Sequence, residues 1–234
     1  MTTLRHLLIT GASRGIGAHL VEHYLGQGDL VTGCARGPAG VTHERYTHLQ
    51  VDVTDEAAVR ARFFEIRQRF GRLDALINNA GIASMNPVAL TPFDSARQIM
   101  ATNFLGTFAF THAALRLLRS SKAGRIVNFT TVAVPMRLEG EAIYAASKSA
   151  VETFTRIVAR EVAPFGITCN AVGPSPIKTQ LTGNVGAEKI EKLLARQAIP
   201  RWAESSDVAN VVDFFLKPES AMITGQIVYL GGAG

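Results

Sequence analysis

The feature that most constrains the fold is a regular alternation of short apolar runs with longer amphipathic segments. The apolar runs predict strands near residues 4–10, 30–35, 46–51, 74–78, 124–130, 167–172 and 226–230. The amphipathic segments predict helices near 15–27, 55–70, 91–119, 143–163, 187–196 and 206–216. Strands that alternate with helices build a parallel sheet covered on both faces. We therefore predict an α/β protein with a doubly wound parallel sheet of about seven strands flanked by helices, in a single domain over residues 1–234.

Composition excludes several classes of protein. No apolar run reaches the ~18 residues that a membrane span requires. The first predicted strand begins within a few residues of Met1, which leaves no room for a signal peptide. Cys34 and Cys169 each lie in an apolar run, so we expect two buried thiols of a reducing compartment rather than a disulfide. These features predict a cytoplasmic protein.

The net charge of +5 raises the question of an anionic partner. The basic residues are scattered, without a dense run and without the interleaved aromatic residues that single-strand binders use. We therefore expect neither nucleic acid nor a membrane surface as a partner. A ligand that carries phosphate accounts for part of the positive charge.

A glycine-rich segment, Thr10–Gly17 (TGASRGIG), connects the first predicted strand to the first predicted helix. Glycines allow the backbone to approach a pyrophosphate closely, and the dipole of the following helix favours its negative charge. The spacing is GxxxGxG rather than the more usual GxGxxG. The segment predicts a dinucleotide site formed by Gly11, Ser13, Arg14, Gly15, Ile16 and Gly17.

Tyr144 and Lys148 are four residues apart, which places both side chains on one face of a helix. A nearby cation favours the phenolate and lowers the pKa of a tyrosine from its usual value near ~10. Such a tyrosine can donate or accept a proton near neutral pH. The pair therefore predicts an acid–base group.

Together these motifs resemble those of the short-chain dehydrogenase/reductase family, and the resemblance extends over nearly the whole chain. TGASRGIG matches the cofactor loop of the family, and Tyr144 and Lys148 match its catalytic pair. Asn78-Asn79-Ala80-Gly81 matches the NNAG motif after the fourth strand. The carboxyl-terminal ITGQ and Gly231-Gly232 resemble the last strand of the family.

The resemblance implies a Rossmann-like fold and assigns further residues to the site. Asn103 corresponds to the structural and catalytic asparagine, which holds a water beside the lysine in a proton relay. Lys148 is expected to bind the nicotinamide ribose. The remaining cofactor contacts implied by the family pattern are Asp52, Val53, Asn79, Ala80, Gly81, Pro174, Ile177 and Thr179.

Two departures from the family pattern bear on chemistry. Thr131 stands thirteen residues before Tyr144, where the family carries a serine. A threonine hydroxyl can also donate to a carbonyl oxygen, although its methyl group narrows the pocket. Ser175 follows Pro174 where the family usually has glycine, so we expect an altered loop near the nicotinamide.

The end of the second strand indicates which nicotinamide cofactor is used. An acidic residue at this point binds the ribose 2′-hydroxyl in NAD-specific relatives. Here the strand ends in Cys34-Ala35-Arg36, without an acid, and Arg36 together with Arg14 can flank a 2′-phosphate. We therefore predict NADPH/NADP+ as the cofactor; the alternative is that both arginines are surface residues.

A competing motif lies on the first helix. His19-Leu20-Val21-Glu22-His23 matches the HxxEH pattern of some zinc peptidases. Leu20 and Val21 belong to the apolar stripe of this helix, and no third ligand can be identified. We therefore predict no metal site, and we interpret the methionines as packing residues.

The reaction predicted from the resemblance is NADPH-dependent reduction of a 3-oxoacyl (β-keto) substrate, because the chain looks most like the 3-oxoacyl carrier-protein reductases of the family. A basic rim at Lys122 and Arg125 fits an acyl carrier protein as partner, whereas Phe165 stands where such reductases often have a basic residue. A specialised biosynthetic reductase fits equally well. The alternatives are a reductase or dehydrogenase for a sugar, polyol, steroid or other small carbonyl or alcohol, and a non-catalytic NADPH-binding regulator.

Two further expectations concern segments outside the chemistry. Residues 180–202 interrupt the alternation and predict a lid whose apolar side chains either cover a substrate or pack the lid itself; these are Leu181, Val185, Leu193, Leu194 and Trp202. Helices 91–119 and 143–163 carry apolar residues beyond one face, which predicts a homotetramer, or a homodimer, paired through them.

Overall fold

A seven-stranded sheet forms the centre of the computed structural model, which describes residues 4–179, 182 and 186–232. Every pair of neighbouring strands is parallel. The strand order is β3-β2-β1-β4-β5-β6-β7, which confirms the predicted doubly wound parallel sheet. The strands are β1 (His6–Thr10), β2 (Leu30–Ala35), β3 (Tyr46–Gln50), β4 (Ala75–Asn78), β5 (Arg125–Phe129), β6 (Thr168–Gly173) and β7 (Ile227–Tyr229).

Helices follow the strands in alternation. Local signals set several of their ends: the Asp55 side chain accepts from Ala58 N at 2.9 Å where the second helix begins, and Gly71, with φ +70°, ends it. The helices are α1 (Gly15–Gly26), α2 (Glu56–Phe70), α3 (Phe93–Met100), α4 (Gly106–Ser121), α5 (Ala133–Met136), α6 (Ala142–Val162), α7 (Ala187–Ala195) and α8 (Ser205–Leu216).

The core has two layers, one on each face of the sheet. Leu7 and Ile9 of β1 pack with α1 and α8 on one face, while Leu8, between them in sequence, packs with α2, α4 and α6 on the other. Burial on both faces explains why the central strands are continuous apolar runs rather than alternating ones. Cys34 and Cys169 are buried free thiols, as predicted.

The structure differs from the sequence prediction in two places. The single helix expected over 91–119 is α3 and α4 joined by a π-helical segment, Ala101–Leu105. The short helix α5 was not predicted, because four residues that include Pro135 are too few to show a helical period. Among the residues described, no helix is long and apolar enough to cross a membrane.

Candidate active site

The carboxyl ends of β1, β4, β5 and β6 open onto a cleft of about 980 Å³, including its open mouth. β1 lies between β2 and β4, so the chain reverses its direction across the sheet here, which is where open α/β sheets bind ligands. The predicted site residues that line the cleft are Ile16, Asn79, Gly81, Thr131, Tyr144, Lys148, Pro174, Ile177 and Thr179.

The turn between β1 and α1 is shaped for close approach of a ligand. Gly11 has a φ of +69°, and a Cβ at Gly17 would lie 2.1 Å from Gly11 O, so neither position accepts a side chain. No side chain caps the start of α1, where Arg14 is the N-cap residue. The cradle and the uncapped amides therefore fit the pyrophosphate of a dinucleotide.

The segment after β4 holds this turn in place. Asn79 Nδ2 donates to Thr10 O at 2.9 Å, and Ala80 N donates to Thr10 Oγ1 at 2.9 Å. Asn79 and Ala80, predicted as cofactor contacts, thus fasten the glycine turn to the end of β4. Gly81 lines the cleft, where a Cβ would be 3.3 Å from Lys148 Nζ.

Tyr144 and Lys148 stand one turn apart on α6, at the wall of the cleft. Lys148 is buried and donates through Nζ to Phe129 O at 2.9 Å, at the end of β5. Burial lowers the pKa of Lys148 to about 8. Burial also raises the pKa of Tyr144 to about 12, while a hydrogen bond with Thr131 acts in the opposite direction and Glu141 adds to the rise.

The direction of the Tyr144 shift corrects the expectation from sequence. A neighbouring ammonium is predicted to lower this pKa, but loss of hydration outweighs the other influences and raises it. Sequence spacing shows which charges are close, but it does not show how much water surrounds them.

Asn103 lies in the π-helical segment and is fully buried behind the cleft. Its amide accepts from Ile82 N at 2.8 Å and donates to Ile82 O at 2.9 Å. It also donates to Ser147 Oγ at 3.0 Å, and that hydroxyl donates to Tyr144 O. Asn103 thus connects the chain after β4 with the start of α6.

Thr131 and Thr130 follow β5 but differ in what they contact. Ala133 N donates to Thr131 Oγ1 at 3.2 Å, and the Thr131 hydroxyl also forms a hydrogen bond with Tyr144 at the wall of the cleft. Thr130 Oγ1 donates to the buried Glu152 at 2.6 Å, so its proton is already used. Thr131 is therefore the threonine positioned to donate to a ligand in the cleft.

Ser175, the second departure from the family pattern, is buried beneath the cleft. Its hydroxyl donates to Gln197 Oε1 at 2.8 Å, which ties the loop after β6 to the segment after α7. The backbone at Ser175 is not in the left-handed region, so a side chain is accommodated there.

Several residues predicted to contact the cofactor, among them Arg36, Asp52 and Val53, do not line the cleft. Arg36 is exposed directly after β2, and the loop that follows packs near the turn, since a Cβ at Gly40 would lie 3.4 Å from Ser13 O. Asp52 accepts from Thr54 N at 2.9 Å, and Val53 packs against Gly106 of α4. Gly15 and Arg14 are exposed on the same side.

The opposite part of the cleft is mainly apolar and includes residues that the sequence did not single out. Met85, Leu138, Ile190 and Leu193 line it, the last two from α7. Glu141 is the acidic residue in this wall, and burial raises its pKa to about 7. Sequence reasoning missed Glu141, although its position three residues before Tyr144 was a usable signal.

Only part of the predicted lid, residues 180–202, lines the cleft. Leu193 faces the cleft, whereas Leu194 is not among the lining residues and Trp202 lies under the ammonium of Lys178, 5.6 Å from its ring centre. Leu181 and Val185 fall outside the described residues.

The predicted basic rim at Lys122 and Arg125 is wrong for Arg125. This arginine is buried, and its guanidinium donates to Ala123 O and Gly124 O at 3.0 and 3.1 Å. Lys122 is exposed at the end of α4, close to Arg119, whose guanidinium stacks 3.9 Å from the ring centre of Phe165.

The HxxEH motif on α1 is used for packing. His23 Nε2 is 2.8 Å from Asp213 Oδ2 of α8 and 2.9 Å from Gln27 Nε2. No group of three or more potential metal ligands occurs within residues 4–179, 182 and 186–232.

A parallel doubly wound sheet with a glycine cradle and a Tyr–Lys pair in the cleft defines a Rossmann-like oxidoreductase. The family model described as enoyl-(acyl carrier protein) reductase matches residues 11–232. The chain therefore belongs to the short-chain dehydrogenase/reductase family, whose members act on CH–OH and C=O groups with a nicotinamide cofactor.

Named relatives narrow this class. The 3-oxoacyl-[acyl-carrier-protein] reductase of Vibrio cholerae is 34% identical over 231 residues, covering 96% of this chain and 95% of that protein. The enzyme of the same name from Escherichia coli is 33% identical over 231 residues, with the same coverage. Among solved structures, ligand-free aldohexose dehydrogenase from Thermoplasma acidophilum has a TM-score of 0.89 at 28% identity, covering 98% of this chain and 94% of that one.

Proposed function

We propose that this chain, acting as one domain, reduces a 3-oxoacyl thioester to the 3-hydroxyacyl product with NADPH. The observation that carries the proposal is the placement of Thr131, Tyr144 and Lys148 together at one end of an otherwise mainly apolar cleft, beside a cradle that fits a dinucleotide. The relatives named as 3-oxoacyl carrier-protein reductases support this choice of substrate.

NADPH, when bound, supplies the hydride that adds to the carbonyl carbon. The cradle Gly11–Gly17 binds its pyrophosphate, Asp52, Val53, Asn79 and Ala80 border the adenosine side, and Lys148 binds the nicotinamide ribose. Pro174, Ile177 and Thr179 close the nicotinamide side of the cleft.

Side chains of the cleft bind the substrate carbonyl and supply the proton that its oxygen receives. Thr131 and Tyr144 donate hydrogen bonds to the carbonyl oxygen, which polarises the carbonyl group. As the carbon is reduced, the carbon–oxygen π electrons move to the oxygen, and Tyr144 transfers its phenolic proton there. Lys148 stabilises the phenolate that forms, and Asn103 holds a water beside Lys148 through which the proton of Tyr144 is replaced.

Substitution of Arg36 tests whether the enzyme uses NADPH rather than NADH. Because a charge-assisted bond to phosphate contributes about 1.5–3 kcal/mol, Arg36→Ala should lower kcat/KM for NADPH by about tenfold or more. The value for NADH, which has no 2′-phosphate, should change little. Arg45→Ala, an exposed arginine on the other side of the loop after Arg36, is the control. A parent enzyme that prefers NADH would contradict the assignment.

The substrate is tested with acetoacetyl-CoA and with a β-ketoacyl group on an acyl carrier protein, each against aldohexoses and steroid ketones. We expect turnover of both thioesters. The exposed cations Arg119 and Lys122 provide a surface for an acidic carrier protein. The double variant Arg119→Glu/Lys122→Glu should therefore raise KM for the carrier-bound substrate alone.

A second candidate is oxidation of a sugar or related alcohol. The similarity to an aldohexose dehydrogenase favours it. Turnover of aldohexoses with NADP+, without turnover of either thioester, would select this alternative.

A further inference from the structure

A single carboxyl group interrupts the apolar wall of the cleft. Glu141 lies among Met85, Val132, Leu138 and Leu193, on the same wall as Tyr144. Its backbone is fixed at the start of α6, where its N–H donates to Leu138 O at 3.3 Å and its carbonyl accepts from Ala145 N at 2.7 Å. Its side chain does not cap the helix. The carboxyl group is therefore available to a ligand.

The charged surroundings of Glu141 are sparse. Its own helix contributes Tyr144 and Lys148 to the cleft, and α7 contributes Lys189. Arg137, after α5, is exposed. The segment packed against Gly140, residues 82–92, has no titratable side chain. A carboxyl group in such surroundings loses hydration without gaining a close cation, and burial raises its pKa to about 7.

We propose that Glu141 is a specificity-determining residue that donates a hydrogen bond to the thioester carbonyl of the substrate and so favours 1,3-dicarbonyl compounds over simple ketones. This inference rests on the proposed function. Glu141 is the N-cap residue of α6, and Tyr144 lies in the first turn of that helix, three residues further on. Residues with this spacing at a helix surface are neighbours, with Cβ atoms about 5–6 Å apart. When the reacting carbonyl is bound by Tyr144, a second carbonyl one methylene away lies within reach of Glu141.

The protonation state of the Glu141 carboxyl group decides whether its contact with the thioester carbonyl is attractive. A carboxylic acid donates one hydrogen bond, whereas a carboxylate only accepts and repels a carbonyl oxygen. The contact therefore forms below about pH 7 and is lost above it. The amide of glutamine donates at every pH, which makes Glu141→Gln the informative variant.

The experiment compares methyl acetoacetate with 4-methoxybutan-2-one, in which a methylene group replaces the second carbonyl group. The ratio of their kcat/KM values, each measured with NADPH, cancels effects on cofactor binding and on Tyr144 and Lys148. Glu141→Leu should lower this ratio about tenfold at pH 6, the worth of one lost hydrogen bond. Glu141→Gln should retain the ratio and remove its decline above pH 7.

Glu139→Leu is the matched control, since it removes an exposed carboxylate two residues away and should leave the ratio unchanged. NADPH binding, followed by fluorescence, verifies that each variant is folded. An unchanged ratio in Glu141→Leu overturns the inference and leaves the proposed function intact. A parent enzyme that reduces neither probe nor a β-ketoacyl thioester contradicts the proposed function, and the role of Glu141 falls with it.

Discussion

Burial favours the neutral forms of Tyr144 and Lys148. It raises the pKa of Tyr144 to about 12 and lowers the pKa of Lys148 to about 8. The cost of removing these groups from water is borne by the folded chain, whose sheet and helices hold them in place. Such poorly solvated ionisable groups are typical of active sites, where a proton is transferred during the reaction. Two predictions at the scale of single residues follow from this.

The hydroxyl groups at the carbonyl site can be removed one at a time. Tyr144→Phe should lower kcat by at least about 10²-fold, the usual contribution of a general acid, while NADPH still binds. Thr131→Ser should retain activity because the hydroxyl remains, and Thr131→Ala should lose much of it. Steady-state kinetics and a binding titration check these expectations. If Thr131→Ala were as fast as the parent, the hydroxyl would have no part in catalysis.

Lys148→Met should abolish turnover and stabilise the fold at neutral pH. The pKa of Lys148 is about 8 in the folded chain and near ~10.4 when unfolded, so below pH 8 the folded state bears the full cost of a buried cation. Between these values the unfolded chain binds more protons, and stability rises with pH. The shift corresponds to about 3.3 kcal/mol, from which the lost charge-assisted bond to Phe129 O subtracts about 1.5 kcal/mol.

Urea denaturation at pH 7 and pH 10 measures this difference. The gain in the free energy of unfolding should be about 2 kcal/mol at pH 7 and should shrink toward pH 10. Lys217→Met, at an exposed lysine, should show neither effect. A variant less stable than the parent at pH 7 would show that the ammonium contributes more than its burial costs.

Among the elements, the π-helical segment between α3 and α4 has the clearest role. It places Asn103 where both atoms of its amide pair with the backbone of Ile82. π-Helical insertions are rare and frequently occur at functional sites. Through Asn103, the segment thus connects α3 and α4 to the backbone of Ile82, in the chain that follows β4.

Asn103→Leu should destabilise the chain by about 2–4 kcal/mol, because it leaves the half-buried backbone groups of Ile82 and the buried Ser147 hydroxyl without their Asn103 partner. The melting temperature measures this loss. Gln98→Leu, an exposed amide on α3, is the control and should change stability by about 0.5 kcal/mol or less. Equal effects of the two substitutions would contradict the role assigned to Asn103.

At the scale of the whole molecule, α4 and α6 leave apolar side chains uncovered. Phe108 is 47% exposed and Ile157 is 52% exposed, and Phe154 makes edge-to-face contacts with Phe104 and Phe108. Phe110 and Val158, on the other faces of these helices, are buried in the core. Helices apolar on two faces are usually buried on both, so a symmetric partner copy fits this surface.

We predict a homotetramer by light scattering at micromolar concentration. Phe108→Asp/Ile157→Asp should yield a smaller species, since charges would face each other across the interface. Phe64→Asp changes a phenylalanine that is 59% exposed on α2 and should leave the assembly intact. A parent that is monomeric under these conditions would rule the prediction out.

The sequence predicted most of the fold because burial on both faces leaves a strong signal in strands such as β5 and β6. It missed the π-helical segment, since one wider turn of five residues barely disturbs the apolar period of α3 and α4. It placed Arg125 on a rim, because charged residues are usually exposed, whereas this guanidinium turns back onto the main chain. Glu141 was missed because its role depends on burial, which one residue in isolation does not reveal.

The glycine turn has a consequence for how the protein can change. Gly11, Gly17 and Asn79 interlock so tightly that a side chain at either glycine would collide with the backbone or with the Asn79 amide. Since backbone atoms cannot be exchanged by a second mutation, these positions should be depleted in any library selected for activity, whatever the substrate. Met85, Leu138 and Glu141 line the cleft with side chains that other residues could replace, so their tolerance should depend on the ketone used for selection. Two parallel selections with different ketones would therefore distinguish positions that are constrained by the backbone from positions that are constrained by the substrate.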